Sequence, residues 1–188
     1  MTPHTPSVSP WIQRWSHLAP SGAPVLDVAC GGGRHLHWFA ERGHPVTGVD
    51  IDTTAAAAQV PQARLVAADI ENSPWPLTDA SGQAEVFGVV VVTNYLWRPL
   101  LPTLLDSLAP GGVLLYETFA QGNETVGRPA RPDFLLRPGE LLQVCAGLQV
   151  VAYENGYLDN PARFVQRIAA VREAAPRQPE TLPAVYRL

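Results

Sequence analysis

The sequence predicts an α/β fold built on a mostly parallel sheet with helices on both faces, and three observations carry that expectation. Apolar, β-branched runs at 25–28, 45–49 and 86–92 read as strands buried on both sides, because only a doubly covered strand dispenses with polar alternation. Helical periodicity after the first run supplies the crossover that a parallel neighbour requires. Between that run and its helix stands Gly31-Gly32-Gly33, where backbone turns sharply at a point where side chains would clash with a ligand.

In chain order, residues 1–8 are rich in Pro, Ser and Thr and are expected to fray. Ser9 caps a short helix opened by Pro10, with Trp11, Ile12, Trp15 and Leu18 on one face. That helix either packs two tryptophans into the core or lids a ligand. After the first strand, Leu36, Phe39 and Ala40 form the core face of a helix that Gly43 ends. Asp52 or Thr53 caps an alanine-rich helix stopped by Pro61, and a third strand over 63–68 delivers Asp69. Residues 72–83 lack a period and read as a loop.

The clearest central strand, 86–92, runs into Thr93-Asn94-Tyr95-Leu96-Trp97. Pro99 opens a helix with Leu100, Leu101, Leu104, Leu105 and Leu108 on one side, halted by Pro110-Gly111-Gly112. Residues 113–116 form a fifth strand ending at Glu117, and 119–137 reads as a long polar loop over the ligand edge. Pro138 starts a helix that Gly147 ends. Two alternating segments follow, 148–157 and 162–171, joined by 158–161. The length, 188 residues, suits one domain over 1–188, with an N-terminal segment at 1–20 and an extended tail at 174–188.

Composition excludes several function classes. All 13 basic residues are arginines, so a P-loop lysine and Schiff-base chemistry are ruled out. The net charge is −4 and the arginines are scattered, which removes the electrostatic footprint of a nucleic-acid binder. No apolar run approaches the roughly 20 residues of a membrane span, and the start lacks a signal-peptide pattern, so a cytoplasmic protein is expected. Cys30 and Cys145 show neither pairing nor metal spacing, and the five histidines show no ligand spacing, so no metal site is expected.

The ligand edge has its own chemistry. A glycine loop feeding a helix places backbone N–H groups beyond a strand end, where α/β folds gather nucleotides. Asp50 stands 17 residues after Gly33, suited to accepting hydrogen bonds from ribose hydroxyls. The dinucleotide fingerprint would need a third glycine where Leu36 stands. With Asp27 at the strand end, the loop suits an ammonium better than a pyrophosphate. Arg34 and His35 sit in the first turn of the helix, where its dipole disfavours cations, which points to a ligand carboxylate or to two solvated side chains.

The segments Asp27-Val28-Ala29-Cys30-Gly31-Gly32-Gly33, Gly48-Val49-Asp50-Ile51-Asp52 and Ala67-Ala68-Asp69-Ile70-Glu71 resemble the first three S-adenosylmethionine motifs of class I methyltransferases, in order. Residues 38–50 resemble the small-molecule members, such as the thiopurine and tellurite-resistance enzymes. The resemblance implies a Rossmann-like sheet of seven strands, mostly parallel, closed by an antiparallel hairpin at 148–171. It implies that S-adenosylmethionine is held by Asp27, Ala29, Cys30, Gly31, Gly33, Arg34, His35, Asp50, Ile51, Asp69, Ile70, Asn94 and Tyr95. Its expected use is methyl transfer to an O, N or S atom of a small molecule.

Methyl transfer is an in-line displacement that asks chiefly for alignment and dryness. Tyr95 and Glu117 are the candidate catalytic residues, Glu117 as a base whose pKa burial would raise. Trp97, Arg128 and Arg131 are candidate acceptor contacts, with the 119–137 loop as cover. A nucleic-acid methyltransferase is the rival enzyme, although Asn94-Tyr95-Leu96-Trp97 lacks the prolines of the amine-methylating motif. A catalytically inactive binding partner and a nicotinamide dehydrogenase also compete, the dehydrogenase disfavoured by Leu36 and the closing hairpin. Oligomeric state is not encoded in any of these features.

Overall fold

A computed structural model describes residues 7–174 and 184–188. Seven strands form a single sheet: β1 (Val25–Val28), β2 (Val46–Asp50), β3 (Arg64–Ala67), β4 (Phe87–Thr93), β5 (Leu108–Phe119), β6 (Gln149–Asp159) and β7 (Ala162–Val171). Their order is β3-β2-β1-β4-β5-β7-β6. The first five are parallel, while β7 runs antiparallel between β5 and β6. β1 and β4 are buried along their whole length, which is why their sequence is apolar without alternation.

Alternate residues of the central strands feed two cores, one per face. Leu26, Val90 and Leu114 pack with α4 (Leu101–Asp106) and α5 (Glu140–Val144). Val25, Val89 and Leu115 pack with α1 (Pro10–Trp15), α2 (Arg34–Ala40) and α3 (Thr54–Gln59). The Ser9 cap forms as expected, its Oγ accepting the Trp11 N–H at 3.1 Å. Trp11 and Trp15 are core residues, with the Trp11 indole N–H donating to the Ile168 carbonyl. Leu18 is only half-buried, in a 3-10 turn beyond the helix.

Two expectations need correction. The helix after Pro99 stops at Asp106, so Leu108 and Pro110-Gly111-Gly112 belong to β5. A register shift opposite Phe87–Val89 and a left-handed Gly111 let the strand absorb residues that read as breakers. The 119–137 segment, expected as the cover of the acceptor pocket, lines none of the three clefts described below. Ala120 bridges Leu136, both are buried, and Leu135 is buried beside them. Arg98 then ties the segment down, donating to the carbonyls of Asp133 and Leu135 and pairing with Glu140. Part of the expected extended tail, 175–183, lies outside the described residues, and Tyr186 beyond it packs against the α1 core.

Candidate active site

Three clefts follow one another along the carboxyl edge of the parallel strands. The first, about 360 Å³, is lined by Asp50 and Ile51 after β2, Asp69 and Ile70 after β3, and Tyr95 after β4. The second, about 260 Å³, is lined by the backbone of 29–32 with Arg34, His35, Thr93, Asn94 and Tyr95. Ala29 and Tyr95 border both, so these clefts are continuous around them. The third, about 600 Å³, shares Arg34 and Asn94 with the second. Its other walls are the strip from Ser7 to Pro10, Glu117, and the tip and flank of the β6–β7 hairpin.

The glycine loop is shaped by positive φ and close packing. Gly31 (φ +52°) has nothing within 4 Å of where a Cβ would lie, leaving the cleft side open. Gly33 (φ +78°) presses on α3, where a Cβ would meet Ala56 at 3.2 Å. Asp50 braces the loop from below, its Oδ2 accepting the Gly31 N–H at 2.8 Å. Ala29 (φ +54°) and Asn94 (φ +55°) also hold left-handed backbone. Such strain is uncommon for residues with a side chain and concentrates where geometry serves a ligand. Tyr116 fixes Tyr95 behind them, donating its hydroxyl proton to the Tyr95 carbonyl.

Asp27 is not among the residues lining the three clefts; it is 1% exposed, beside His35 of the second, and neither carboxyl oxygen has a hydrogen-bond partner. Burial, reinforced by the Asp50 charge and opposed by Arg34, pushes its pKa up to about 8. His35 is equally buried, and desolvation followed by the Arg34 charge pulls it down to about 3. The 3.8 Å approach of His35 Nδ1 to Asp27 therefore joins two uncharged groups at neutral pH and is not an ion pair. His35 is accordingly not the free cation that its place in the first helical turn implied. Its Nε2 instead accepts the Ser9 N–H and ties the N-terminal strip to the site.

Glu117 also departs from its expected role. It is 1% exposed, but its oxygens accept from Ser9 Oγ, Arg163 and Arg167 at 3.0, 3.4 and 3.1 Å. A carboxylate held by two guanidiniums and a hydroxyl positions those arginines, and each of its oxygens already accepts a hydrogen bond. Arg128 and Arg131 are exposed on the pinned segment, Arg131 pairing with Asp133 and stacking over Phe134, and neither lines a cleft. Trp97 packs against the core on the α4 face, away from the clefts. Asp69 lines the first cleft while accepting from the backbone and side chain of Asn72 and from the Glu71 N–H. Among the described residues no group of three His, Cys, Asp or Glu is placed to hold a metal ion.

Sequence reading missed Ser9, Arg163 and Arg167. The pairing Phe119–Val165 and Glu117–Arg167 across β5 and β7 is what delivers the two arginines to this edge. An alternating strand carrying Arg163 and Arg167 four residues apart, hence on one face, was the available signal.

Residues 25–112 match the family model described as a methyltransferase domain. The sheet order, with its inserted antiparallel β7, is that of class I. Over residues 25–112, just under half of its length, the chain is similar to that family. Trans-aconitate 2-methyltransferase of Delftia acidovorans is 30% identical over 138 residues, covering 66% of this chain and 50% of that protein. The chain thus spans about half the length of the curated relatives it matches. In fold, the chain is similar to TehB of Haemophilus influenzae, with a TM-score of 0.70 at 18% identity over 91% of this chain and 64% of that one. It is also similar to the glycopeptide N-methyltransferase MtfA complexed with S-adenosyl-L-homocysteine, with a TM-score of 0.59 at 19% identity, covering 90% and 91% of the two chains.

Proposed function

We propose that this protein, as one domain, transfers a methyl group from S-adenosylmethionine to a small molecule in the cytoplasm. The observation that carries this reading is Asp27, a buried carboxyl with two unpartnered oxygens beside an arginine and beneath a strained glycine loop. An unsatisfied buried carboxyl is costly unless a ligand completes it, and an ammonium is the group that does so best. The rest of the donor set fits the same molecule. Asp50 retains lone pairs for two ribose hydroxyls after accepting from Gly31 and Asp52. Ile51, 73% exposed, and Ile70 offer apolar faces to a base beside Asp69, while Arg34 suits the amino-acid carboxylate.

Bound there, S-adenosylmethionine supplies a methyl group activated on a sulfonium. The protein's part is orientation. Tyr95 divides the first two clefts, and Asn94, its left-handed backbone bonded to the Glu117 carbonyl, marks where the second opens into the third. The third cleft is the acceptor chamber. The names of relatives include both O- and N-methyltransferases, so they leave the acceptor atom open. Both cysteines are free and buried, which agrees with a reducing compartment, and no described helix is long and apolar enough to cross a membrane.

Calorimetric titration with S-adenosylmethionine, S-adenosylhomocysteine and NAD tests the donor assignment. The two adenosyl compounds are expected to bind and NAD is not. Asp50→Ala is expected to weaken adenosyl binding by about 1.5–3 kcal/mol, the worth of a hydrogen bond to a charged group. Binding of NAD in preference to either would replace the proposal with a dehydrogenase.

A further inference from the structure

We propose that the acceptor is a carboxylate, seated against Arg163 in the third cleft and methylated on its own oxygen. This rests on the methyl-transfer reading above and assigns its substrate class. Three guanidiniums, Arg34, Arg163 and Arg167, face that cleft against one carboxylate, Glu117, in a chain whose net charge is −4. Their commitments differ. Arg167 is saturated, bonded to Glu117 and, at 2.8 and 2.6 Å, to Glu154, with Trp11 stacked beneath it. Arg34 serves the donor's carboxylate. Arg163 lines the cleft and meets Glu117 at 3.4 Å, a longer contact than any of those Arg167 makes. A second carboxylate would satisfy that guanidinium as a two-pronged partner.

Among its described lining residues the third cleft holds one carboxylate, Glu117, which already accepts from Arg163, Arg167 and Ser9. Asp50, Asp69 and Glu71 line the first cleft instead, and Asp27 is buried. An alcohol or an ordinary thiol must lose a proton to attack, and the one carboxylate beside it here is already engaged by three donors. A protonated amine is repelled by Arg163 in front and by the sulfonium behind. A carboxylate needs neither help. Its oxygen lone pair forms the O–CH₃ bond while the C–S bond breaks and leaves its electron pair on sulfur. Cation and anion become a neutral thioether and a neutral methyl ester, and no proton moves.

Succinate and citrate, with succinamide as the uncharged control, are titrated by calorimetry into the protein loaded with S-adenosylhomocysteine. The carboxylates are expected to bind and the diamide is not. Arg163→Gln is expected to weaken carboxylate binding roughly ten- to a hundredfold with homocysteine-compound affinity unchanged, and Arg163→Lys to recover part of it. Asn160→Asp, an exposed change on the hairpin turn, places a negative charge at the same cleft without touching the core and is expected to weaken binding as well. In parallel, methyl-labelled S-adenosylmethionine is incubated with a panel of di- and tricarboxylates, and the product is treated with alkali, which releases methanol only from an ester. Diamide binding equal to that of the acids, insensitivity to both substitutions, or label that survives alkali overturns the proposal. Failure of S-adenosylhomocysteine itself to bind overturns instead the methyl-transfer reading on which it stands.

Discussion

Asp27 couples the site to pH in a direction opposite to that of an ordinary carboxyl. Its folded pKa of about 8 lies above the ordinary 3.8, so the free protein keeps a proton there at pH 7. The stability this lends is complete below about 3.8 and is lost as pH rises through 8. Asp27→Asn lacks that dependence. Its melting temperature is expected to gain on the parent between about pH 6.5 and 8, a window above the range in which neutral His35 matters. Adenosyl binding should weaken in the same variant. An ammonium requires the ionised carboxyl, so binding at pH 7 should release about one proton and tighten as pH rises to 8. Calorimetry in buffers of different ionisation enthalpy measures that proton directly.

That Asp50 and Asp69 would line one cleft was legible, because each stands at or just past the end of an apolar strand and adjacent strands bring those ends together. The environments of Asp27 and His35 were not. The 1% exposure of Asp27 and the lowered pKa of His35 arise from burial, and the partners of His35, Ser9 and Thr93, lie far from it in sequence.

At the level of elements, β2 and α2 meet at Gly48. A Cβ there would lie 2.7 Å from Leu36 and 2.9 Å from the Cys30 sulfur. Gly48→Ala is therefore expected to cost about 1–3 kcal/mol through overpacking, read by urea denaturation. It should also loosen adenosyl binding, because Cys30 belongs to the glycine loop. Ser9→Ala removes the α1 cap together with a bond to Glu117, and about 1–2 kcal/mol of destabilisation is expected from the same measurement. Strand and helix identities followed from periodicity, and the errors share a cause. Pro110-Gly111-Gly112 reads locally as a stop, yet pairing of Leu108 with Phe87 prolongs β5 across it. Likewise 119–137 is polar on average, and its fate is decided by Leu135 and Leu136, which only a fold with a vacant apolar slot beneath them can use.

For the molecule as a whole, a ligand that binds only the folded state should raise its stability. S-adenosylhomocysteine at a hundred times its Kd adds about 2.7 kcal/mol. At about 2–4 °C per kcal/mol for a chain of this size, a rise in Tm of about 5–10 °C is expected in calorimetric melts. The order of the parallel strands was implied by likeness to a family and by no pattern within any one strand. What composition did reveal was the absence of lysine, which narrowed the chemistry before any geometry was known.

The donor clefts draw on a contiguous stretch, Ala29 to Tyr95, whereas the third cleft is walled by Ser7 to Pro10 at one extremity and by 158–167 near the other. Apart from Arg34 and Asn94, which border both the second and third clefts, and Glu117, the walls of the third come from outside the 29–95 stretch. On the proposed reading, exchanging the short hairpin crest should redirect the enzyme to a new recipient while adenosyl binding is kept.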